Sequence, residues 1–277
     1  MSDNYYNNQN ESGRDPFESM NNLQSANREI FNTGMFDEGY GSDMGYGNEI
    51  PVMPVGFDGI KTIVTERVVA KSFLFMFAAL LITAFASLTT NPYTAVRMVS
   101  GGSFFILIIA ELGIVFASNA ALKRNNVVLG GILYTVYSFL TGMLLSVIYV
   151  AYTGSSIASV FFLTAGMFGG MALFGLATKK DLTSMGSIMM MGLWGIILAS
   201  IVNMMFLNSD AMDFGISIIG VIIFTGLTAY DMQRIKNMCA YSTVENENAL
   251  AMLGAFEIYL DFINLFLKLM RLLGRRK

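Results

Sequence analysis

The sequence ALAMLGAFEIYLDFINLFLKLMRLL, from Ala249 to Leu273, decides how the rest of the chain is interpreted. At about 3.6 residues per turn it predicts a helix with one polar stripe on an otherwise apolar surface. The stripe members are spaced four, three, four and three residues apart: Glu257, Asp261, Asn264, Lys268 and Arg271. A carboxylate at the centre of a bilayer costs about 2.5–3.5 kcal/mol on insertion scales. The stripe must therefore face protein, water or an ion.

The composition is that of a polytopic membrane protein. The 277 residues are 54% hydrophobic and 13% charged, whereas soluble domains carry about 25% charged residues. The chain has no histidine, and Cys239 is its single cysteine. These counts exclude Ser-His and Cys-His catalysis, an intramolecular disulfide, a Cys-rich zinc site and an iron–sulfur cluster. No nucleotide, haem or flavin motif is visible, so we expect no cofactor and no nucleic-acid partner.

The chain divides into a tail and a membrane domain. Residues 1–56 carry nine acids and two arginines, a net charge of −7, which leaves +4 on the remainder. This segment is rich in Asn, Gly and Ser and shows no helical or strand period. It contains too little apolar surface to offset the entropy of ordering. We therefore predict a disordered acidic tail over residues 1–56 and a membrane domain over residues 57–277.

Seven candidate membrane spans follow the tail, each near the roughly 20 residues that cross about 30 Å of hydrocarbon. They are approximately Val69–Leu88, Ser103–Leu122, Val127–Tyr149, Ile157–Ala177, Gly186–Phe206, Phe214–Tyr230 and Ala249–Leu273. Several glycines recur in them at helix-packing spacings, namely Gly130, Gly131, Gly166, Gly169, Gly170, Gly192, Gly195, Gly220 and Gly226. We expect close helix approach at these positions.

The charges between the spans predict an orientation. The connections after spans two, four and six are basic, and the alternate connections carry one arginine, no charge and two aspartates. The positive-inside rule therefore places the amino terminus in the cytoplasm, in a protein of the cell membrane. A full seventh crossing would leave the basic residues Arg275, Arg276 and Lys277 outside. Either the last helix is re-entrant or half-inserted, or a central buried helix overrides the charge bias.

Acidic residues inside or beside the spans are candidate functional groups. Glu111 lies in the middle of span two, Asp231 ends span six, and Asp261 lies in span seven with Glu257 one turn before it. Structural interpretations stay open. Arg234 could satisfy Asp231 from three residues away, and the last helix could lie in the membrane interface. Glu111 has no local cation, so it must be neutral, water-exposed or paired across helices.

A contact between Asp231 and Asp261 would have specific consequences. Two carboxyls a few ångströms apart in a poorly hydrated site cannot both ionise cheaply, so they share a proton and respond to pH. The deprotonated pair is a hard, oxygen-rich site of the kind Ca²⁺ prefers. A neutral, hydrogen-bonded pair would hold the helices closed. Loss of the proton would push them apart and open a cation path.

Two motifs, GLTAYDMQRIK at Gly226–Lys236 and YLDFINLFLKLMRLL at Tyr259–Leu273, resemble the Bax-inhibitor family, the transmembrane Bax inhibitor motif proteins. The similarity extends over roughly Lys61 to Arg271. It includes Glu111, which matches the family's acid in span two, and Glu257, which resembles an acid of eukaryotic members. The resemblance implies an all-α fold of seven transmembrane helices, with two three-helix layers around a central carboxy-terminal helix.

The resemblance also implies a pH-sensitive calcium leak. The family's proton-sharing aspartates correspond to Asp231 and Asp261, which become the expected pH-sensing and ion-gating residues and the expected Ca²⁺ ligands. Bacterial members have a basic residue after span two that latches onto the pair. Lys123 and Arg124 lie near that position, although out of register with it.

Three functions are compatible with these residues. The first is a proton-gated cation leak whose partners are the lipid bilayer, protons and Ca²⁺. The second is a regulatory protein that binds a membrane protease or a cell-death or stress protein. The third is an intramembrane aspartyl protease, but its GxGD motif is absent, because Ile258, Tyr259 and Leu260 precede Asp261. We therefore expect a protein that is not an enzyme.

Overall fold

The computed structural model describes the backbone of residues 57–99, 103–241 and 246–277. The tail predicted to be disordered, residues 1–56, lies outside the described residues. Within those three ranges the regular elements are helical. They are α1 Phe57–Thr89, α2 Pro92–Val99, α3 Ser103–Lys123, α4 Val127–Leu145, α5 Ile148–Ala151, α6 Gly154–Ala177, α7 Thr183–Val202, a π-helical turn Asn203–Leu207, α8 Asp210–Tyr241 and α9 Glu247–Leu273.

Seven of these helices are long and apolar enough to cross a membrane: α1, α3, α4, α6, α7, α8 and α9. The prediction of an all-α protein with seven transmembrane helices is confirmed. Several helices extend past the predicted spans, most clearly α8, which begins at Asp210 and continues to Tyr241. The apolar pattern marks only the part of a helix that suits hydrocarbon, and polar residues prolong the helix beyond it.

The last helix, α9, occupies the centre of the bundle. In its most apolar stretch 72% of the residues are buried, against 11% in α7. It packs against α1, α4, α6 and α8. By their contacts α1, α3 and α4 form one group and α6, α7 and α8 another, with α9 touching both. The interfacial interpretation of this helix is therefore wrong, because neighbouring helices enclose it on most of its surface.

The start of α9 is fixed by polar contacts that its sequence supplies. Asn246 caps the helix, its side-chain oxygen accepting a hydrogen bond of 2.9 Å from the Asn248 N–H. Lys71 of α1 donates to Glu247 at 3.1 Å and to the Asn248 side chain at 2.9 Å. The Asn246 bond satisfies a backbone N–H that the helix terminus would leave unpaired. The Lys71 bonds place the start of α9 beside the first half of α1.

The other end of α9 joins the connection between α4 and α6. The Arg275 N–H donates to Ser156 Oγ at 2.9 Å, and the Lys277 N–H donates to the Ala151 carbonyl at 3.0 Å. The Thr153 N–H donates to the Arg275 carbonyl at 3.1 Å. The helix is continuous for 27 residues before this tail. The structure thus favours the central buried helix over the re-entrant one.

Glycines permit two of the closest helix contacts. A methyl group at Gly142 of α4 would overlap the Thr83 carbonyl oxygen of α1, and one at Gly175 of α6 would overlap the Ala229 carbonyl oxygen of α8. Some of the predicted packing glycines also face a neighbour, namely Gly130, Gly131, Gly192, Gly220 and Gly226. For Gly166, Gly169, Gly170 and Gly195 that expectation is wrong, since an added methyl group would meet no described atom within 4 Å.

Candidate functional site

Asp231 of α8 and Asp261 of α9 meet in the core of the bundle. Both side chains are buried, with 9% and 5% of their residue surface exposed. Their carboxyl groups lie within hydrogen-bonding distance of each other. Since ionised carboxylates only accept hydrogen bonds, a bond between them requires one proton. Within the described residues no donor group bonds to Asp261 Oδ2, so a shared proton would supply the partner that this atom lacks.

Glu257 adds a third carboxyl, one turn before Asp261 on the same face of α9. It interacts electrostatically with both aspartates. Its Oε1 forms a 3.0 Å ion pair with Nη1 of Arg234. Glu257 Oε2 is buried and has no hydrogen-bond partner among the residues described. The cluster therefore contains two buried carboxylate oxygens, Asp261 Oδ2 and Glu257 Oε2, that no donor among the described residues satisfies. A proton or a cation could bind to them.

Arg234 interacts electrostatically with Asp231, the partner that the sequence left open for it, but its ion pair is with another acid. Sequence spacing suggested Asp231, three residues away on the same helix, but the guanidinium pairs with Glu257 of the neighbouring helix. The Arg234 side chain is half exposed, whereas Asp231 faces the interface between α8 and α9. The arginine consequently sits at the rim of the cluster, where Glu257 also reaches.

Lys123, the last residue of α3, and Arg124, which follows it, lie at the end of that helix. Lys123 contributes an electrostatic interaction with Glu257. Both Lys123 and Arg124 are exposed. In the described part of the chain, neither forms an ion pair within 4.0 Å. The structure therefore does not bring the expected latch residues onto the aspartate pair.

Glu111 belongs to a separate polar group on the other face of α9. Its Oε1 accepts a hydrogen bond of 3.4 Å from Thr141 of α4. It also interacts electrostatically with Tyr137 and Tyr259. The Tyr259 hydroxyl lies 2.7 Å from Thr83 Oγ1 and links α9 to α1. Glu111 is thus paired across helices, one of the states expected for it, and it does not join the aspartates.

Two adjoining cavities follow the polar stripe of α9. The first, the acidic cavity, measures about 830 Å³ and lies among α3, α7, α8 and α9. It is lined by Asp231, Asp261, Glu257 and Arg234 together with many apolar side chains. The second, the end cavity, measures about 610 Å³ and contains Asp210, Asp213 and Arg271. Four residues line both cavities: Ser200, Met204, Asn264 and Lys268.

The acidic cavity and the end cavity together form a polar route along α9, and an arginine–carboxylate pair lies at each end of it. Arg234 and Glu257 pair at the end near the basic connections. Arg271 Nη1 pairs with Asp213 Oδ2 at the opposite end, where Asp213 Oδ1 also accepts a 2.8 Å hydrogen bond from Asn203. Asn203 and Asp213 were not singled out from the sequence. The signal was present in the two aspartates between spans five and six.

The aspartate pair by itself offers few ligands for a metal ion. In the residues that the structure describes, no three His, Cys, Asp or Glu side chains are arranged to hold a metal ion. The aspartate pair offers two carboxyls, whereas bound Ca²⁺ takes about six to eight oxygen ligands. A calcium ion at the pair would therefore keep much of its water.

Comparison with known proteins gives consistent matches over the membrane domain. The family described as "Inhibitor of apoptosis-promoting Bax1" matches residues 65–277. The inner membrane protein YbhL of Escherichia coli K12 is 42% identical over 218 residues, which cover 76% of this chain and 93% of that protein. An uncharacterized protein of Borreliella burgdorferi is 43% identical over 220 residues, covering 78% and 94% respectively. The Rickettsia prowazekii protein RP147 is 44% identical over 217 residues, covering 76% and 91%.

Proposed function

The chain belongs to the Bax-inhibitor family of multi-pass membrane proteins, and from this premise we propose that it is a calcium leak closed by a proton. The observation that carries the proposal is the buried contact between the Asp231 and Asp261 carboxyls. It joins the last two spans at the wall of the acidic cavity. A charge-sensitive bond at that position would couple pH to the width of the route.

The proposed gate works through the charge of the pair. With one proton shared, a hydrogen bond holds α8 against α9. Once both carboxyls ionise, two unit charges about 4 Å apart repel by roughly 4 kcal/mol at an effective dielectric constant of about 20. Separation of the helices would relieve the repulsion and expose carboxylate oxygens to the acidic cavity. Calcium flux should therefore rise as pH rises.

The rest of the site supports conduction over catalysis. The polar stripe of α9 leads from the aspartates past Asn264 to the end cavity, which provides a path for an ion. We propose that the protein lies in the cell membrane with its amino terminus in the cytoplasm. The basic connections favour this orientation, and the Escherichia coli relative is described as an inner membrane protein.

The test is Ca²⁺ flux into proteoliposomes between about pH 6 and about pH 8, a range in which a coupled carboxyl pair can titrate. Asp231→Asn and Asp261→Asn are compared with the native chain. The Asn amide donates a hydrogen bond that pH cannot remove, so each variant should show low flux with no pH response. Asp181→Asn is the matched control, because hydrogen bonds from Thr183 hold the pKa of the exposed Asp181 carboxyl below its ordinary value.

Two results would overturn the proposal. Native protein that passes no Ca²⁺ at any pH would leave the aspartates with a structural role, and regulation of a membrane partner would become the leading function. A pH profile that survives both substitutions would show that another group senses the proton. The control variant should match the native profile.

A further inference from the structure

Lys268 occupies the junction of the polar route. It is one of four residues that line both the acidic cavity and the end cavity. It lies seven residues after Asp261, about 10 Å along the helix axis at a rise of about 1.5 Å per residue. Among those four residues it is the only one that carries a charge. An ion that moves between the two cavities must pass this side chain.

The fold holds the Lys268 stem in place. An added methyl group at Gly220 of α8 would lie 3.0–3.1 Å from the Cγ, Cδ and Cε atoms of Lys268. The lysine therefore runs along a groove that the missing side chain of Gly220 creates. Asn264 and Arg271 flank it on the same face of α9. The stem is fixed by packing, so the charge stays near the junction.

The nearby carboxylate is already engaged. Lys268 interacts electrostatically with Asp213 and Arg271. Asp213, however, pairs with Arg271 through Oδ2 and with Asn203 through Oδ1. Across residues 64–97, 106–238 and 246–277, the ion pairs within 4.0 Å do not include Lys268. In these ranges the Lys268 ammonium therefore has no carboxylate within 4.0 Å to neutralise its charge. Its field would act on an ion that passes beside it.

We propose that Lys268 is the residue that sets which ions the route passes, by opposing cations in proportion to their charge. This inference rests on the proposed leak function. Coulomb repulsion from an ammonium is twice as strong for a divalent ion as for a monovalent ion at the same distance. Lys268 therefore slows Ca²⁺ more than K⁺ and keeps the leak small.

The experiment measures Ca²⁺ and K⁺ flux in proteoliposomes, at one fixed pH, for the native chain and for Lys268→Gln. We expect Ca²⁺ flux to increase about tenfold, which corresponds to ~1.4 kcal/mol in the barrier. Half that energy applies to K⁺, so its flux should increase about threefold. Lys268→Met, a neutral side chain of similar length, should give the same pattern. Lys268→Arg, which keeps the charge, should retain the native Ca²⁺ to K⁺ ratio.

Lys179→Gln is the matched control, because Lys179 is an exposed lysine in the connection between α6 and α7. It should leave both fluxes unchanged. Native Ca²⁺ flux that neither neutral variant alters would overturn the barrier and leave the proposed leak standing. Equal increases for Ca²⁺ and K⁺ would also overturn it, because they would indicate a packing defect without charge selection. Absence of flux from the native chain and every variant would overturn both the barrier and the leak.

Discussion

Gly175→Ala tests how the second helix group is held together. Gly175 of α6 faces the backbone of α8, and an added methyl group would overlap the Ala229 carbonyl oxygen and lie 2.9 Å from the Ala229 Cα. Backbone atoms cannot turn aside as a flexible side chain can. The two helices must move apart, and Asp231 lies only two residues beyond Ala229 on α8. The substitution therefore strains the helix that carries one half of the aspartate pair.

The magnitude follows from comparison with Gly166→Ala in the same helix, where an added methyl group meets no described atom within 4 Å. Overpacking a close contact costs about 1–3 kcal/mol. Replacing an unhindered helix glycine by alanine gains about 1 kcal/mol. Both variants gain this propensity term because both are glycine-to-alanine changes inside α6, so they should differ in unfolding free energy by the overpacking cost alone, roughly 1–3 kcal/mol. For a domain of about 150–250 residues this corresponds to a difference of roughly 2–12 °C in melting temperature.

The assay is thermal unfolding of the detergent-purified variants, followed by intrinsic fluorescence and by the fraction that stays monodisperse after heating. Gly175→Ala should melt below Gly166→Ala, and Gly166→Ala should melt at or above the native chain. A melting temperature for Gly175→Ala within about 2 °C of that for Gly166→Ala, less than the shift expected from 1 kcal/mol, would refute the close backbone contact between α6 and α8.

Two further predictions concern the ends of the route and of the chain. Arg234→Gln should lower the melting temperature more than the double variant Arg234→Gln/Glu257→Gln. The single variant leaves the Glu257 carboxylate, whose Oε2 is buried, without its cation. Equal melting temperatures for the two variants would indicate that solvent already screens the ion pair. Deleting residues 275–277 removes two backbone hydrogen bonds to the connection between α4 and α6 and a third, from the Arg275 N–H to Ser156 Oγ in the first turn of α6. At about 0.5–1.5 kcal/mol each, their loss should lower the melting temperature by several degrees, and an unchanged value would contradict a docked tail.

The amino-acid pattern predicted the helices well because a bilayer imposes one dominant rule. Long apolar stretches and a helix-period polar stripe follow directly from the cost of placing polar groups in hydrocarbon. The stripe at Ala249–Leu273 required enclosure, and α9 is enclosed. The disordered tail over residues 1–56 stays a prediction, since it lies outside the described part of the chain.

Side-chain partners were harder to predict because they depend on how helices cross. Arg234 stands three residues from Asp231, a spacing that favours a pair on one helix, yet Glu257 of the adjacent helix takes it. The sequence does not show how α8 packs on α9, so it predicts the consequences of a contact between Asp231 and Asp261 but not the contact itself. Local spacing carries no information about the rotation of one helix against another.

The glycines show the same limit. The spacing of Gly166, Gly169 and Gly170 predicted a packing face on α6, but a methyl group added at these positions would meet no described atom within 4 Å. The close contact with α8 is made at Gly175, against the backbone of Ala229. The α6 sequence is apolar around its whole circumference. No polar side therefore reveals which face meets protein and which meets lipid.

The central position of α9 has a consequence for biosynthesis. Because α9 follows the other described helices in chain order, the ribosome makes it after them. The earlier spans must enter the bilayer around a centre that is not yet filled, with Asp231 still lacking the carboxyl that it meets in the finished bundle. A chain that stops before α9 leaves Asp231 without that carboxyl. The bundle thus closes around its centre only after α9 has been made.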